Sequence, residues 1–266
     1  MTADIGFIGA GKMGGALIGG LLSKRVFEAD RIVACTGSEE SRRRVAEEYG
    51  IRTVPGPAEV CSESRIIVLA VKPKQVPEVV SEMGDVSGKI LVSVVAGLTV
   101  EQLKSYVPDV KIVRVMPNHC CMVLEGAMGY CDDGTLTDSE RDEVAGILGS
   151  VGLAVSVSES EMDIVTGIAG SSPAFIYLVI DAMADAGVLN GLKRDAAIRL
   201  AAQSVLGAAK MVLETGKHPD ILRDEVCSPG GTTIEGVREL EDRGLRAAMI
   251  AAVDVTAEKS RRMTRG

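Results

Sequence analysis

Short apolar runs rich in β-branched residues recur through the first 160 residues, each followed by a longer stretch of mixed polarity. Ile5 to Ile8, Arg31 to Cys35, Ile66 to Ala70, Ile90 to Val95 and Lys111 to Val115 are too short for helices and read as buried strands. The stretches between them carry helix signals. Thr99-x-x-Gln102 and Thr137-x-x-Glu140 have the form of capping boxes, in which a hydroxyl and a side chain three residues on satisfy two helix-end N–H groups. Strand and crossover helix in alternation predict an α/β fold with a doubly wound parallel sheet. Further strands are expected through Gly126 to Cys131 and Leu153 to Val157.

After Ser160 the period changes. Ala becomes frequent, and apolar positions recur at three and four residues through Ala174 to Gly187, Asp195 to Leu213 and Ile234 to Thr256, so the last part of the chain reads as all helix. The expected division is an α/β domain over 1–160 and a helical domain over 161–266. Small residues such as Ala201-Ala202 and Gly207-Ala208-Ala209 let helices approach closely but bury little area each. The helical part is therefore expected to need a partner surface, for which a symmetric second copy is the commonest solution.

Composition narrows the picture. With 46% hydrophobic residues among 266, the chain is not disordered, and with 3% aromatic residues and no Trp its core must be aliphatic. The net charge of -8 disfavours nonspecific binding to nucleic acid. The longest uncharged stretch, Ile164 to Ile180, is interrupted by Gly170-Ser171-Ser172-Pro173 and falls short of the roughly 20 apolar residues of a membrane span, so no membrane partner is expected. The first strand follows the N-terminus without a basic and apolar leader, which points to a cytoplasmic protein. Six cysteines without a CxxC pair read as reduced thiols, and no metal site is expected.

Candidate chemistry begins at Gly9-Ala10-Gly11-Lys12-Met13-Gly14, a GxGxxG that follows a strand and opens a helix. In this Rossmann-type context the first Gly permits a tight turn, the second lets a pyrophosphate approach the backbone, and the third packs helix against strand. Helix-start N–H groups then face the anion, with Ile8 to Gly14 as the cofactor-binding segment. At the end of the second strand, Ala34-Cys35-Thr36-Gly37-Ser38 places hydroxyls where NAD-dependent proteins carry an acid, and Arg42, Arg43 and Arg44 follow. This favours NADP, with NADPH preferred and Thr36 as direct contact. NAD remains possible with Glu39 or Glu40 as the acid, although both also suit a helix's first turn.

Two more loops leave strand ends, Ala70-Val71-Lys72-Pro73 and Val95-Ala96-Gly97, and their small residues would admit a flat ring. Lys72 is either a proton donor or a residue presenting its backbone to the cofactor. In the helical part, Val226-Cys227-Ser228-Pro229-Gly230-Gly231-Thr232-Thr233 breaks one helix, and Thr232-x-x-Glu235 has the form of a capping box opening the next. The segment is either an ordinary junction or a cradle of N–H groups and Thr hydroxyls for a small carboxylate.

Phe7-Ile8-Gly9-Ala10-Gly11-Lys12-Met13-Gly14, Ala70-Val71-Lys72-Pro73, Arg114-Val115-Met116-Pro117-Asn118 and Ser228-Pro229-Gly230-Gly231-Thr232-Thr233, in this order, resemble pyrroline-5-carboxylate reductases. The likeness extends to Ala184-Asp185-Ala186-Gly187-Val188 and Ala208-Ala209-Lys210-Met211-Val212, and so covers the whole chain. It implies reduction of L-1-pyrroline-5-carboxylate to L-proline with NAD(P)H, the last step of proline biosynthesis. By the same resemblance, Thr166, Val226, Ser228, Gly230, Gly231, Thr232 and Thr233 bind the substrate, and Thr233 is the candidate hydrogen-bond partner of the ring nitrogen. Ala96, Gly97 and Asn118 join the cofactor set. The helical domain is implied to form a homodimer, in many members assembled into a homodecamer. Two departures stand out: His119-Cys120 replaces the family's usual Thr-Pro, and Ser171-Ser172-Pro173-Ala174-Phe175 replaces Ser-Gly-Pro-Ala-Tyr.

Overall fold

The computed structural model describes residues 3–265. It falls into two compact units: one runs to Ser171 and takes in the chain again from Val255, and the other is Ser172–Asp254.

In the first unit, strands and helices alternate as β1 (Ile5–Ile8), α1 (Lys12–Ser23), β2 (Ile32–Cys35), α2 (Glu39–Tyr49), β3 (Arg52–Thr53), α3 (Pro57–Glu63) and β4 (Ile66–Leu69). They continue as α4 (Val76–Ser81), β5 (Ile90–Ser93), α5 (Val100–Tyr106), β6 (Lys111–Met116), β7 (Gly126–Asp132), α6 (Asp138–Gly149), β8 (Gly152–Ser156) and α7 (Met162–Val165). The sheet order is β3-β2-β1-β4-β5-β6-β7-β8. β1 lies between β2 and β4, both parallel to it, so the strand order reverses at β1/β4, the switch point where open α/β sheets bind ligands. Successive side chains of a strand point to opposite faces, and two cores result. Ile5, Phe7, Ile66 and Val68 pack on one side with Leu17, Ile18 and Leu21 of α1. Ile8, Ile67 and Leu69 pack on the other with Val60 and Cys61 of α3 and Leu103 of α5.

The capping boxes at Thr99 and Thr137 are present: each hydroxyl accepts the N–H three residues on, and Gln102 and Glu140 accept the cap residue's own N–H. Three features differ from the sequence reading. β3 has two residues and no periodicity to betray it. The sheet is not wholly parallel, because β7 runs antiparallel to β6, with β8 parallel to β7. The segment from Val255 onward belongs with the α/β unit: Ala257 is fully buried, and Ser260 Oγ donates to Asp163 Oδ1 at 2.6 Å.

The second unit holds α8 (Ser172–Leu189), α9 (Arg194–Thr215), α10 (Pro219–Val226), α11 (Thr232–Asp242) and the start of α12 (Leu245–Arg265). α8 and α9 pair closely, and Gly187 sits where a Cβ would come within 3.0 Å of Ala197 Cβ. The unit's buried apolar residues, among those described, are Ala184, Ala197 and Ala201, whereas Leu178, Leu189 and Leu213 are 72%, 87% and 71% exposed. Two helical stretches, Glu159–Leu189 and Arg194–Thr215, are long and apolar enough to cross a membrane, with hydropathy 1.5 and 1.3. Counting uncharged residues missed them, because the Gly-Ser-Ser-Pro interruption is absorbed within one continuous helical stretch and a span tolerates isolated charges. Length and composition alone do not choose between a lipid and a protein cover for such a face.

Candidate active site

The glycines of the first loop are set by local sterics. Gly9 has φ +94°, and a Cβ there would meet Ala70 O at 2.6 Å; a Cβ on Gly14 would meet Gly9 O at 2.2 Å. Gly11 faces open space. It is the N-cap of α1 and lends no side chain to the helix end, and the first turn of α1 carries no acid. α2, by contrast, is capped by Ser38 and has Glu39 and Glu40 in its first turn, so these acids complement its dipole. The positive end of α1 is thus left to an external anion.

That end opens on a cavity of ≈550 Å³ that brings together Gly9 to Met13, Thr36, Ala70, Val71 and Lys72. Ser41 and Arg44 also line it. An adjoining cavity of ≈380 Å³ has Ile8, Gly9, Cys35, Thr36 and Arg42 on its walls. Of the three consecutive arginines, Arg42 and Arg44 therefore face the cavities. Arg42 donates to the carbonyls of Thr36 and Pro55, while Arg43 pairs with Glu47 along α2. Burial pushes the Cys35 thiol up to about 11, so it stays neutral in this wall. Lys72 is exposed at the start of a 3₁₀ turn in which Pro73 holds the first position.

A third cavity, ≈190 Å³, lies at the Val95-Ala96-Gly97 loop. Thr166, Ser171 and Lys259 share it, as does Arg114, which is 8% exposed. Thr166 opens a π-helical turn, Thr166–Gly170, and its hydroxyl bonds back to Met162 O. Such turns concentrate at functional sites. Asn118 turns its side chain inward: Nδ2 donates to Ala169 O, and Oδ1 accepts the N–H groups of Cys120 and Ala127. Sequence reasoning singled out the motif containing Arg114 but gave that residue no role, and it missed Lys259. Lys259 lies within no local pattern that signals ligand binding.

The predicted substrate residues from Val226 to Thr233 lie in the second unit, from the last residue of α10 through the turn to the start of α11. Val226, Ser228, Gly230, Thr232 and Thr233 are exposed. Gly230 has φ +65°, which favours glycine in the turn, and a Cβ on Gly231 would meet Ser228 Oγ at 2.3 Å, so a side chain there would displace that hydroxyl. The capping box expected at Thr232 does not form. Gly231 is the N-cap, Thr232 is the first helical residue, and Glu235 pairs with Arg238. Without a side-chain cap, the first N–H groups of α11 remain open, as they do in α1. His218 caps α10, its Nδ1 accepting the Asp220 N–H at 3.2 Å.

A doubly wound sheet with an anion-ready helix start at its switch point, beside hydroxyl and arginine side chains, defines a dinucleotide-dependent oxidoreductase. Residues 4–97 match the family model described as NADP oxidoreductase, coenzyme F420-dependent, and residues 159–263 match pyrroline-5-carboxylate reductase dimerisation. The chain is 43% identical over 262 residues to the pyrroline-5-carboxylate reductase of Methanosarcina acetivorans, covering 97% of each. It is 41% identical over 268 residues to the Escherichia coli reductase, covering 100% of each. Among solved structures, the Coxiella burnetii reductase superposes with a TM-score of 0.94 at 31% identity, covering 99% of each chain. The Plasmodium falciparum enzyme with NADP bound gives 0.85 at 32% identity and 98% coverage of each. The chain belongs to the pyrroline-5-carboxylate reductase family.

Proposed function

We infer that this protein reduces L-1-pyrroline-5-carboxylate to L-proline, with NADPH as the preferred donor and NADH as the lesser one. The observation that carries the reading is identity above 40% to reductases of this name over their full length. The uncapped start of α1, with steric room only for glycine at positions 9 and 14, fits a dinucleotide pyrophosphate. Thr36, Arg42 and Arg44 supply the hydroxyl and positive charge that suit a 2′-phosphate. When bound, NADPH supplies a hydride from nicotinamide C4 to the imine carbon.

In the proposed site, the amides of Gly11, Lys12 and Met13 hold the pyrophosphate, with Ile8, Gly9, Ala10 and Gly14 shaping the turn. Ala70 to Pro73 and Ala96-Gly97 present small side chains and backbone to the ring, and Asn118 braces the wall beside them. The carboxylate of the substrate is received by the turn Ser228 to Thr233, next to Val226, with Thr166 contributing from its π-helical turn. Thr233 hydrogen-bonds the ring nitrogen. A cyclic imine is basic enough to enter partly as iminium, so positioning rather than a dedicated acid carries the step, and water supplies the remaining proton. Lys72 presents its backbone to the cofactor. The exposed leucines of α8 and α9 support self-association through the helical unit, and the assembly proposed is a dimer, with a decamer built from dimers. A cytoplasmic setting suits the six free thiols.

The test is oxidation of NADPH and NADH in the presence of pyrroline-5-carboxylate. Turnover with both, faster with NADPH, is expected; folded protein that binds NADPH without turnover refutes the reading. Thr233→Ala is expected to lower kcat/KM by about 10- to 100-fold, one hydrogen bond of roughly 1.4 to 2.7 kcal/mol. Unchanged kinetics would remove Thr233 from the site.

A further inference from the structure

Arg114 is a charged side chain 9% exposed, in the middle of β6 and on the wall of the cavity at the Val95-Ala96-Gly97 loop. A buried guanidinium is costly unless it is paired. Its partner is Glu159, 45 residues further on, whose Oε1 accepts Arg114 Nη1 at 3.0 Å. The same oxygen accepts the N–H of Val100, the first residue of α5, at 2.7 Å. One carboxylate oxygen therefore ties β6, the start of α5 and the turn at Glu159 together. The loop Val94 to Thr99 is held at its other end by Val94 N donating to Leu69 O at 3.1 Å. Within it, Gly97 has φ +80° and the loop has no strand partner to set its height. The Thr166–Gly170 turn, whose Thr166 lines the same cavity, is braced from the same strand end: Asn118 holds Ala169 O, and Met116 packs within 2.8 Å of where a Cβ on Gly170 would lie. The motif Arg114 to Asn118 thus ties down two segments that line one small cavity, and Arg114 does so through a charge pair.

We propose that Arg114, through Glu159, is a positioning residue for hydride transfer: it sets the height of the 95–97 loop, and hence the approach of the nicotinamide to the imine carbon. This rests on the assignment of that loop to the nicotinamide in the proposed site. Displacement of the reacting atoms by about 1 Å can cost on the order of 100-fold in rate, so the effect falls on kcat and not on affinity.

The experiment compares wild type, Arg114→Met, Arg114→Lys and Glu159→Gln in steady-state kinetics, with NADPH dissociation constants and the primary isotope effect from C4-deuterated NADPH. For Arg114→Met, kcat is expected to fall about 30-fold, with the KM for pyrroline-5-carboxylate within about 2-fold and an enlarged isotope effect. Arg114→Lys, which keeps the charge, is expected to recover kcat to within about 5-fold, and Glu159→Gln to lower it about 10-fold. If Arg114→Met does not fold, the last two variants decide. Unchanged kcat and isotope effect in a folded Arg114→Met or in Glu159→Gln overturns the proposal. So does a loss confined to the KM for the imine, which would make Arg114 a direct carboxylate anchor. Failure of the underlying site assignment has a different signature: kcat falls with no change in isotope effect while NADPH affinity is lost.

Discussion

The two units of this chain solve the problem of burying apolar surface in opposite ways. The α/β unit takes its hydrophobic side chains inside: Phe7, Ile66, Leu69 and Ile90 are fully buried, and each sheet face has its own core. The helical unit buries alanines and leaves leucines outside. The first unit carries its loops on a sheet with a packed core on each face, whereas the second leaves large apolar side chains uncovered in the single chain. Its match to a dimerisation family gives that exposure a purpose.

The comparison is broken most directly on α9. Leu206 and Leu213, seven residues apart, share one face of the helix and are 54% and 71% exposed. Leu206→Glu/Leu213→Glu is expected to shift the protein to monomer in sedimentation velocity and to lower activity more than about 100-fold. A double variant that stays assembled and active would place the interface on another face. In the α/β unit, Gly14→Ala sets helix propensity against sterics. Propensity favours Ala by about 1 kcal/mol, but the Cβ would stand 2.2 Å from Gly9 O, and relieving that clash costs about 1–3 kcal/mol and moves the loop. We expect a lower Tm in calorimetry and an NADPH dissociation constant raised about 10-fold.

A smaller effect is expected at Arg44, which lines the ≈550 Å³ cavity at the start of α1 without shaping the loop. Arg44→Ala should reduce the preference for NADPH over NADH by about 10-fold, read as the ratio of kcat/KM values, with NADH kinetics nearly unchanged. Smallest is a pH effect confined to the α/β unit. Lys111, with Thr137's amide and hydroxyl, holds the Glu140 carboxyl down at about 2, from an ordinary 4.5. A depressed carboxylate contributes stability that is fully present above its unfolded value and lost as pH falls through the folded one. Glu140→Gln is therefore expected to lower Tm by about 2–4 °C near pH 7. The gap should close as pH falls from 4.5 towards 2. A gap that persists at pH 2 would mean that the loss is not ionic.

Much of the α/β unit could be read from local pattern. The Gly9–Gly14 loop, the capping boxes and most strands depend on spacings of two to five residues, and Ile8 to Met13, Thr36 and Ala70 to Lys72 line two adjoining cavities. β3 was illegible because two residues carry no period, and the reversed β7 because strand direction leaves no mark in composition. At the helical turn, Thr232 looked like a cap because its spacing to Glu235 is right. Gly231 occupies that position instead, a choice made by the tight 228–231 turn that Ser228 O closes on Gly231 N.

Spacing along the chain was enough for the fold class and the family, because glycine placement, apolar period and motif order are all local properties. Contacts across long stretches of sequence came only with the folded chain: Arg114 with Glu159, Asn118 with Ala169, and Ser260 with Asp163 are separated by 45, 51 and 97 residues. Such pairs are chosen by which ends of strands and helices the topology makes neighbours, and no local preference encodes that. The same holds for the return of the C-terminal segment to the α/β unit, which depends on a buried Ala257 finding its pocket there.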